Sequence, residues 1–268
     1  MLKTAYIRKK ATSILMENRI HELINQFDFI SLEEMSGVSF QKRSDVKYVF
    51  HQKSLIQLLE KLKGHFRILN IQSSGIQSYK TIYLDSAKFD MYHQHHNGLR
   101  NRYKIRAREY LSSNVSFLEI KTKNNKGITA KRRIEIENIE IEEISNKVDL
   151  IRQKTPFKNI DLVQSLQNEF SRITLVNEET PERITIDCNL SFLVSKGATI
   201  ELPQLCILEI KRNQNTKNRL LDSILKELKI YPMRFSKYCI GLSLLETKVK
   251  NNRFKPVIHQ LRKKEIIH

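Results

Sequence analysis

The chain has 268 residues, of which 40% are hydrophobic and 28% charged, and its formal net charge at pH 7 is +18. A chain of this length and composition can bury a real core, and with only 7 Gly and 5 Pro it has no low-complexity linker, so a single compact domain is the simplest interpretation. The positive surplus calls for an anionic partner, whether nucleic acid, acidic lipid, nucleotide or another polyanion.

Three widely spaced cysteines show neither a metal-binding nor a disulfide spacing. We therefore expect small buried thiols and a cytoplasmic location. No apolar run reaches the roughly 18 residues of a membrane helix, and no secretory signal is evident, so we expect no integral membrane segment.

Hydrophobic periodicity predicts the following elements in chain order: helix 12–30, strand 46–51, helix 54–63, strand 76–85, a turn at 95–98, strand 99–110, strand 117–123, a hairpin turn at Gly127, a strand from about 131, helix 143–168, strands 182–188 and 205–211, and helices 216–229 and 234–246. The predicted organisation is an N-terminal helical segment (1–36), one large domain (37–248) and a basic, loosely ordered C-terminal tail (249–268).

Residues 99–110 (LRNRYKIRAREY) carry the most informative pattern in the chain. Cations occupy every second position: Arg100, Arg102, Lys104, Arg106 and Arg108. Because successive side chains of a strand point to opposite faces, these cations share one face, while the other face is mainly apolar. Cations packed side by side repel one another, so we expect an anion there, and the planar fork of arginine matches phosphate oxygens.

Similar alternation returns in 117–123, 182–188 and 205–211. An open antiparallel sheet with its charged face in water would show the same alternation and is the alternative interpretation. The wholly cationic face and its repetition favour an α+β fold in which helices flank a closed antiparallel β-tunnel of about eight strands. Such a tunnel would have a basic lining, and a linear polyanion threaded through it would contact every wall at once.

At these residues the chain resembles the VTC domain family, the polyphosphate polymerase domain of the vacuolar transporter chaperone complex and its bacterial relatives, within the CYTH-like triphosphate tunnel metalloenzymes. The resemblance covers about residues 28–245. It rests on the order and spacing of seven segments: RSDVKYVF (43–50), YLDS (83–86), HHNGLRNRYKIRAREY (95–110), FLEIKTKNNKGITAKRR (117–133), ERITIDCNL (182–190), ILEIK (207–211) and RFSKY (234–238).

The resemblance, together with the cationic strand, implies roles for individual residues. The implied catalytic residues are Lys47, Arg106, Arg108, Lys121 and Arg183. The implied phosphate-binding residues are Arg102, Lys104, Lys131, Arg133, Arg172, Lys211, Arg234, Ser236 and Lys237. Glu209, with Glu119 second, is implied as a ligand of Mn²⁺ or Mg²⁺. The alternative role of these two carboxylates is a salt bridge to Lys211 or to Lys121.

The implied activity is that of an ATP–polyphosphate phosphotransferase, with ATP and inorganic polyphosphate as partners and no nucleic acid expected. The end of a phosphate chain is already anionic and needs no strong general base, whereas a hydrolase must orient and deprotonate water, usually through carboxylates. The segment from Arg43 to Lys47 reads R-S-D-V-K where tunnel hydrolases have E-x-E-x-K, which also disfavours hydrolysis.

Three other functions stay open from the sequence: a triphosphate or nucleoside triphosphate hydrolase, a non-catalytic polyphosphate sensor, and a nucleic-acid binder with its cations on an outer surface. His93, His95 and His96 fit no zinc-binding spacing, and we expect a loop or rim position for them. Ser236 is expected to cap a helix rather than to act as a nucleophile, and Tyr103 is expected in the core.

Overall fold

The computed structural model describes residues 15–36, 43–153, 155–157, 161–195, 197–213 and 218–267. The strands in this part of the chain are β1 (Phe29–Ile30), β2 (Arg43–His51), β3 (Arg67–Leu69), β4 (Ile76–Ser86), β5 (Arg102–Tyr110), β6 (Val115–Lys123), β7 (Thr129–Ile136), β8 (Leu162–Asn177), β9 (Glu182–Leu193), β10 (Thr199–Leu202) and β11 (Leu205–Asn213). The helices are α1 (15–24), α2 (Leu32–Ser36), α3 (Lys53–Leu62), α4 (Asp90–His96), α5 (Ile141–Arg152), α6 (Arg219–Glu227), α7 (Lys237–Leu245) and α8 (Lys255–Lys263), with a 3₁₀ turn at Asn252–Phe254.

The strands form an eleven-stranded sheet with the neighbour order β2–β11–β9–β8–β4–β5–β6–β7, to which β1, β3 and β10 attach at the sides. The α+β class and the antiparallel sheet with helices are confirmed. The prediction of a closed tunnel of about eight strands is wrong, because the sheet has eleven strands and the described residues of β2 and β7 do not pair. Alternation determines the face on which a side chain lies, but it does not determine which strand edges pair.

The chain divides into two compact units, and β8 and β9 contribute residues to both. The first unit comprises 1–76, 173–186 and 206–233, and the second comprises 77–172, 187–205 and 234–268. In the first unit, α3 has one apolar face, and its four leucines are fully buried: Leu55, Leu58, Leu59 and Leu62. The predicted domain boundaries at residues 36 and 248 stay predictions.

In the second unit, β4 to β7 form an antiparallel array with one apolar face. Ile105 lies opposite Ile120, and Ala107 lies opposite Leu118. These side chains belong to one core cluster that also contains Ile144 of α5. The partly buried Tyr103 packs against the same cluster, which confirms its expected core position. Packing against this core orients the opposite face of the array, which carries the cations.

Helix α4 is held to β4 by a buried carboxylate. Asp85, which ends the YLDS segment, accepts hydrogen bonds from the backbone N–H groups of Met91 and Tyr92, each at 2.9 Å. The Tyr238 hydroxyl of α7 also donates to Asp85. Because these bonds satisfy donors of the first helical turn, Asp85 fixes where α4 begins. The first two residues of the turn predicted at 95–98 are the last residues of α4. Gly98, at the end of that turn, has a positive φ of 73°.

The prediction of one helix over 143–168 is wrong beyond residue 152. Helix α5 ends at Arg152, and β8 begins at Leu162. Within β8, Leu166, Asn168 and Phe170 are buried in alternation with more exposed neighbours. This two-residue period belongs to a strand and was masked by leucines at helical spacing.

The predicted loose C-terminal tail is also wrong. Residues Lys255–Lys263 form α8, with Ile258 and Leu261 buried three positions apart, and Ile266 and Ile267 are buried after it. The prediction of small buried thiols is confirmed, because Cys188, Cys206 and Cys239 are all buried thiols outside any disulfide in the described residues. None of the helices in the described part of the chain has the length and apolar character that a membrane crossing requires.

We expect Ile105→Ala to lower the free energy of unfolding by about 2–5 kcal/mol, because Ile105 is only 1% exposed and its truncation leaves a cavity under the cationic face. Chemical denaturation measures the change. Ile128→Ala, at a position that is 61% exposed, is the matched control and should change stability by less than about 0.5 kcal/mol. Equal effects of the two substitutions would show that the sheet does not depend on this core.

Candidate functional site

The face of β4 to β7 opposite the apolar core carries successive rows of cations, which we call the cationic face. Strand register aligns the side chains of adjacent strands across it. The rows are Arg102 with Lys123; Lys104 with Lys121 and Lys131; Arg106 with Tyr83, Glu119 and Arg133; and Arg108 with Thr81, Phe117 and Glu135. Alternation within each strand and register between strands therefore place eight cations on one surface of the second unit.

Glu119 is the counter-ion of the third row. It is 2% exposed, and its Oε2 lies 2.6 Å from Nη2 of Arg106, while its other oxygen contacts the Lys131 ammonium. Burial by itself would raise the pKa of Glu119, but Arg106, Arg108 and Lys131 outweigh it and lower that pKa to about 2. Glu119 is therefore ionised throughout the neutral range.

Arg108 has no carboxylate at such close range among the residues that the structure describes. It is buried, and its Nε donates a hydrogen bond to Oγ1 of Thr81 at 3.1 Å. Burial, followed by repulsion from Arg106 and Arg172, lowers the pKa of Arg108 to about 10. The guanidinium thus stays charged at neutral pH while its charge is only partly compensated.

A second buried carboxylate, Asp187 on β9, holds two more cations. Its Oδ1 accepts from Nε of Arg172 at 2.5 Å, and its Oδ2 accepts from Nη2 of Arg172 at 2.9 Å and from the Lys237 ammonium at 2.5 Å. Burial opposes the ionisation of Asp187, but Arg172 and Lys237 together hold its pKa below the usual range. Burial also lowers the pKa of Lys237, and Arg172 and Arg108 add to that effect.

Lys237 is placed by the start of helix α7. The Ser236 side chain is the N-cap and accepts from the backbone N–H of Cys239 at 3.2 Å, so the expected capping role is confirmed. The Lys104 ammonium of β5 donates to the same hydroxyl at 3.0 Å. Ser236 thereby joins the second row of the cationic face to the start of the helix that carries Lys237. Arg234, two residues earlier, is exposed.

Aromatic rings lie under the cations. Tyr79 and Phe170 stack with centroids 5.1 Å apart, and the guanidinium carbon of Arg172 lies 5.2 Å from each centroid. Arg108 contacts the same two rings, and the Lys237 ammonium lies 3.1 Å from the centroid of Phe170. The negative faces of these rings attract the cations without neutralising them, so the charge stays available to a ligand.

Four of the predicted site residues lie in the first unit: Lys47, Arg183, Glu209 and Lys211. Glu209 on β11 contacts the ammonium of Lys47 on β2, and its other oxygen lies 2.5 Å from Nζ of Lys211. The backbone carbonyl of Lys47 accepts from the N–H of Met233 at 2.8 Å, which fixes this end of β2. Arg183 is partly buried on β9.

The suitability of the two glutamates as metal ligands follows from their surroundings. No group of three or more His, Cys, Asp or Glu side chains that could hold a metal occurs in the described ranges. Mn²⁺ and Mg²⁺ nevertheless often use one or two carboxylates and complete their shell with substrate phosphates. Glu209, whose side chain is 20% exposed, fits that arrangement better than Glu119, which is 2% exposed and has cations on both oxygens.

Several residues were missed in the sequence. Asp187 was noted only as part of an alternating strand, although an aspartate inside a strand rich in isoleucine is itself an unusual signal. Tyr79 and Phe117 were not predicted as neighbours of the cations, because their positions beside them depend on how the strands pair. Lys123 shares the alternating face of Lys121 in the sequence, but its position opposite Arg102 depends on strand register. The three histidines belong to α4 rather than to a loop, and among them His96 is buried, with Nε2 2.7 Å from Oδ1 of Asn252.

The fold and this site together define an α+β protein with a densely cationic face on an antiparallel sheet. A sequence model of the VTC domain matches residues 42–246, so the chain belongs to the VTC domain family. No curated protein matches the chain.

Among solved structures, the chain is similar to a candidate adenylate cyclase from Vibrio parahaemolyticus, at 13% identity over 76% of this chain and 99% of that chain, with a TM-score of 0.44. It is also similar to a candidate adenylate cyclase from Bacillus halodurans (13% identity, 73% and 94% coverage, TM-score 0.45). A third is a candidate adenylyl cyclase from Hippeastrum with a dominant triphosphatase activity (15% identity, 75% and 95% coverage, TM-score 0.42).

The pKa of Glu119 predicts a pH effect on stability. This pKa lies below the ordinary value of 4.5 for a glutamate. The ionised carboxylate therefore stabilises the fold at pH values above 4.5, and its contribution to stability is lost as pH falls towards 2. Between about pH 6 and pH 3, wild-type protein should lose about 2 kcal/mol more unfolding free energy than Glu119→Gln. Denaturant titrations measure both, and Glu137→Gln, at an exposed position, controls for the loss of one charge. Parallel pH profiles for wild type and Glu119→Gln would contradict the assignment.

Proposed function

We propose that the protein is an ATP–polyphosphate phosphotransferase, which transfers the γ-phosphate of ATP to a growing polyphosphate chain and releases ADP. Membership of the VTC domain family supports a role connected with phosphate chains. The observation that carries the proposal is the length of the cationic face.

The length of the cationic face can be compared with the length of each possible ligand. Rows that follow one another on a strand are about 7 Å apart, so the rows from Arg102 to Arg108 extend over roughly 20 Å. A triphosphate is about as long as one step between rows. It can contact two adjacent rows, and the others lie beyond its reach. A linear chain of many phosphates can contact all of them, which favours polyphosphate over tripolyphosphate or a nucleotide as the only ligand.

The buried carboxylates favour transfer to phosphate over transfer to water. A hydrolase needs a carboxylate that can accept a proton from water. Glu119 and Asp187 have lowered pKa values and are held by two cations each, so both are poor bases. A terminal phosphate is already anionic, and its attack needs alignment and charge stabilisation rather than deprotonation. Fixed cations on strands supply both without rearranging.

The proposed roles follow from these positions. Arg106, Arg108 and Lys121 are proposed to stabilise the transferring phosphoryl group. Lys47 and Arg183, on the first unit, are the other proposed catalytic residues. Further phosphates are bound by Arg102, Lys104, Lys131, Arg133, Arg172, Lys211, Arg234, Ser236 and Lys237. Glu209 is the proposed ligand of Mn²⁺ or Mg²⁺, with Glu119 second. When bound, that ion would supply a Lewis acid that neutralises part of the phosphate charge.

We expect the purified protein to convert ATP and Mn²⁺ into long-chain polyphosphate and ADP, and Arg106→Ala combined with Lys121→Ala to lower the rate by about 100-fold or more. Product length on a gel and ADP release measure the reaction. Lys126→Ala combined with Arg132→Ala removes two exposed cations outside the cationic face and is the matched control. If the double variant does not fold, Lys121→Ala alone, at an exposed position, replaces it in the assay.

Unchanged synthesis in the double variant would remove Arg106 and Lys121 from the mechanism. Free phosphate in place of polymer would identify a hydrolase. Binding of polyphosphate without turnover would identify a sensor, and tighter salt-sensitive binding of RNA or DNA would identify a nucleic-acid binder.

The metal assignment has its own test. We expect Glu209→Gln to raise the Mn²⁺ concentration for half-maximal synthesis by about tenfold or more, because the substitution removes the proposed protein ligand. Glu201→Gln, at an exposed position on β10, is the control. An unchanged Mn²⁺ dependence would leave Glu209 as an ion-pair partner of Lys47 and Lys211 only.

A further inference from the structure

The C-terminal end of α4 is closed by two sets of hydrogen bonds, of which the first is local. The backbone N–H of Gly98 donates to the carbonyl of His95 at 3.2 Å, and the N–H of Leu99 donates to the carbonyl of Gln94 at 3.0 Å. With the positive φ of 73° at Gly98, these two bonds form the Schellman arrangement that commonly ends a helix. Local bonds thus satisfy two of the carbonyls that the end of a helix leaves without an intrahelical partner.

The second set comes from a residue that is 156 positions away in the chain. Nη1 of Arg253 donates to the carbonyl of Asn97 at 2.6 Å and to that of His96 at 3.4 Å. A cation at this position also opposes the negative end of the helix dipole. Gly98 leaves room for the guanidinium, since a Cβ at that position would lie 3.1 Å from Nη1. Arg253 therefore completes the cap of α4.

The residues that flank this arginine contact the same helix. Oδ1 of Asn252 lies 2.7 Å from Nε2 of the buried His96. The hydroxyl of Tyr92, which is fully buried, donates to the backbone carbonyl of Lys250 at 2.8 Å. The ring of Phe254 lies 5.8 Å from that of Tyr92 and 5.6 Å from that of His96. Contacts on both of its sides therefore hold the arginine at the end of α4.

We call residues 250–254 the clasp. They follow α7 and precede α8, and both helices have buried apolar side chains that hold the clasp in place, among them Leu242 of α7 and Ile258 and Leu261 of α8. The clasp lies beyond residues 42–246, which the VTC domain model matches. The positions that define the family therefore do not include it.

The end of α4 constrains the start of β5. Three residues, 99–101, lie between Gly98 and Arg102, which is the first residue of β5. A connection of this length spans at most roughly 14 Å between the Cα atoms of Gly98 and Arg102, so a displacement of the helix end is passed on to the start of the strand. Arg102, opposite Lys123, is the first row of the cationic face.

The last turn of α4 also lies beside the first two rows. His95 is partly buried, close enough to Lys104, Arg102 and Lys123 for their charges to act on its ring. Burial first, and then these cations, lower the pKa of His95 to about 2, so the imidazole is neutral at physiological pH. Helix α4 therefore packs an uncharged ring against the cations, and its position affects theirs.

We infer that Arg253 is a positioning residue, which caps α4 from the clasp and thereby fixes the start of β5 and the first row of the cationic face. Arg253 acts through α4 and needs no contact with the ligand. The functional half of this inference rests on the proposed function, because Arg102 is proposed to bind phosphate. The structural half, in which the start of β5 depends on the clasp, does not.

Hydrogen exchange of the ligand-free protein tests the structural half. Arg253→Ala removes the cap, Arg253→Lys keeps a cation that can donate to a carbonyl, and Arg262→Ala, at an exposed position on α8, is the control with the same loss of charge. We expect the backbone amides of residues 93–104 to exchange about fivefold or more faster in Arg253→Ala, and within about twofold of wild type in the other two variants. Faster exchange confined to residues 250–267 would overturn the inference, because Arg253 would then hold only the C-terminal segment.

Affinity for long-chain polyphosphate, measured by calorimetry at one salt concentration, tests the functional half. We expect Arg253→Ala to lose about threefold or more in affinity, and Arg253→Lys and Arg262→Ala to stay within about twofold of wild type. An equal loss in Arg262→Ala would reduce the effect to general charge and overturn the positioning role. Unchanged affinity in Arg253→Ala would overturn it as well, since the first row would then not depend on the clasp.

Thermal denaturation checks that each variant folds. If Arg253→Ala does not fold, Asn252→Ala replaces it, because this substitution removes the contact with His96 and leaves Arg253 in place. The same increase in exchange at residues 93–104 is expected.

Neither measurement uses turnover, so the inference and the proposed function can fail separately. A wild-type protein that makes no polymer refutes the proposed function, and hydrogen exchange still decides whether the clasp fixes the start of β5. If wild type makes polymer and Arg253→Ala leaves exchange at residues 93–104 unchanged, the inference is refuted and the proposed function stands.

Discussion

The site depends on one constraint, which is that cations lie beside one another on the face of a sheet with too few carboxylates to neutralise them. Glu119 holds Arg106 and Lys131, and Asp187 holds Arg172 and Lys237. Such an arrangement persists only if the backbone beneath it is fixed. The apolar side of the same strands supplies that rigidity, because it packs against α5 in a continuous core. Burial on one side of the sheet thus permits charge on the other.

The contacts of the buried carboxylates Glu119 and Asp187 limit their use as general bases. Each carboxylate accepts from two cations, so neither has a free oxygen suited to taking a proton from water. The stacked rings of Tyr79 and Phe170 attract Arg108, Arg172 and Lys237 without cancelling their charge. The result is a surface that stabilises anions and whose two buried carboxylates are poorly suited to general base catalysis. This combination supports the proposed phosphoryl transfer to an acceptor that is itself a phosphate.

The structure differs from the prediction at β8, at α8 and in the closure of the sheet, for a different reason in each case. Leucines at helical spacing concealed the strand period of β8, and a basic composition concealed the apolar face of α8, where Ile258 and Leu261 are buried. Closure of the sheet was predicted from the repetition of a charged face, yet closure depends on pairing between strand edges, about which side-chain alternation says nothing.

The sequence by itself predicted a strand at residues 99–110, of which the structure shows Arg102–Tyr110, and the face on which its cations lie. It could do so because side-chain alternation is a property of the local backbone and needs no other strand. Only the tertiary structure decided that Glu119 pairs with Arg106 and Lys131, that Asp187 joins Arg172 to Lys237, and that the described residues of β2 and β7 do not pair. Those outcomes depend on the register between strands and helices far apart in the chain, which no local pattern encodes.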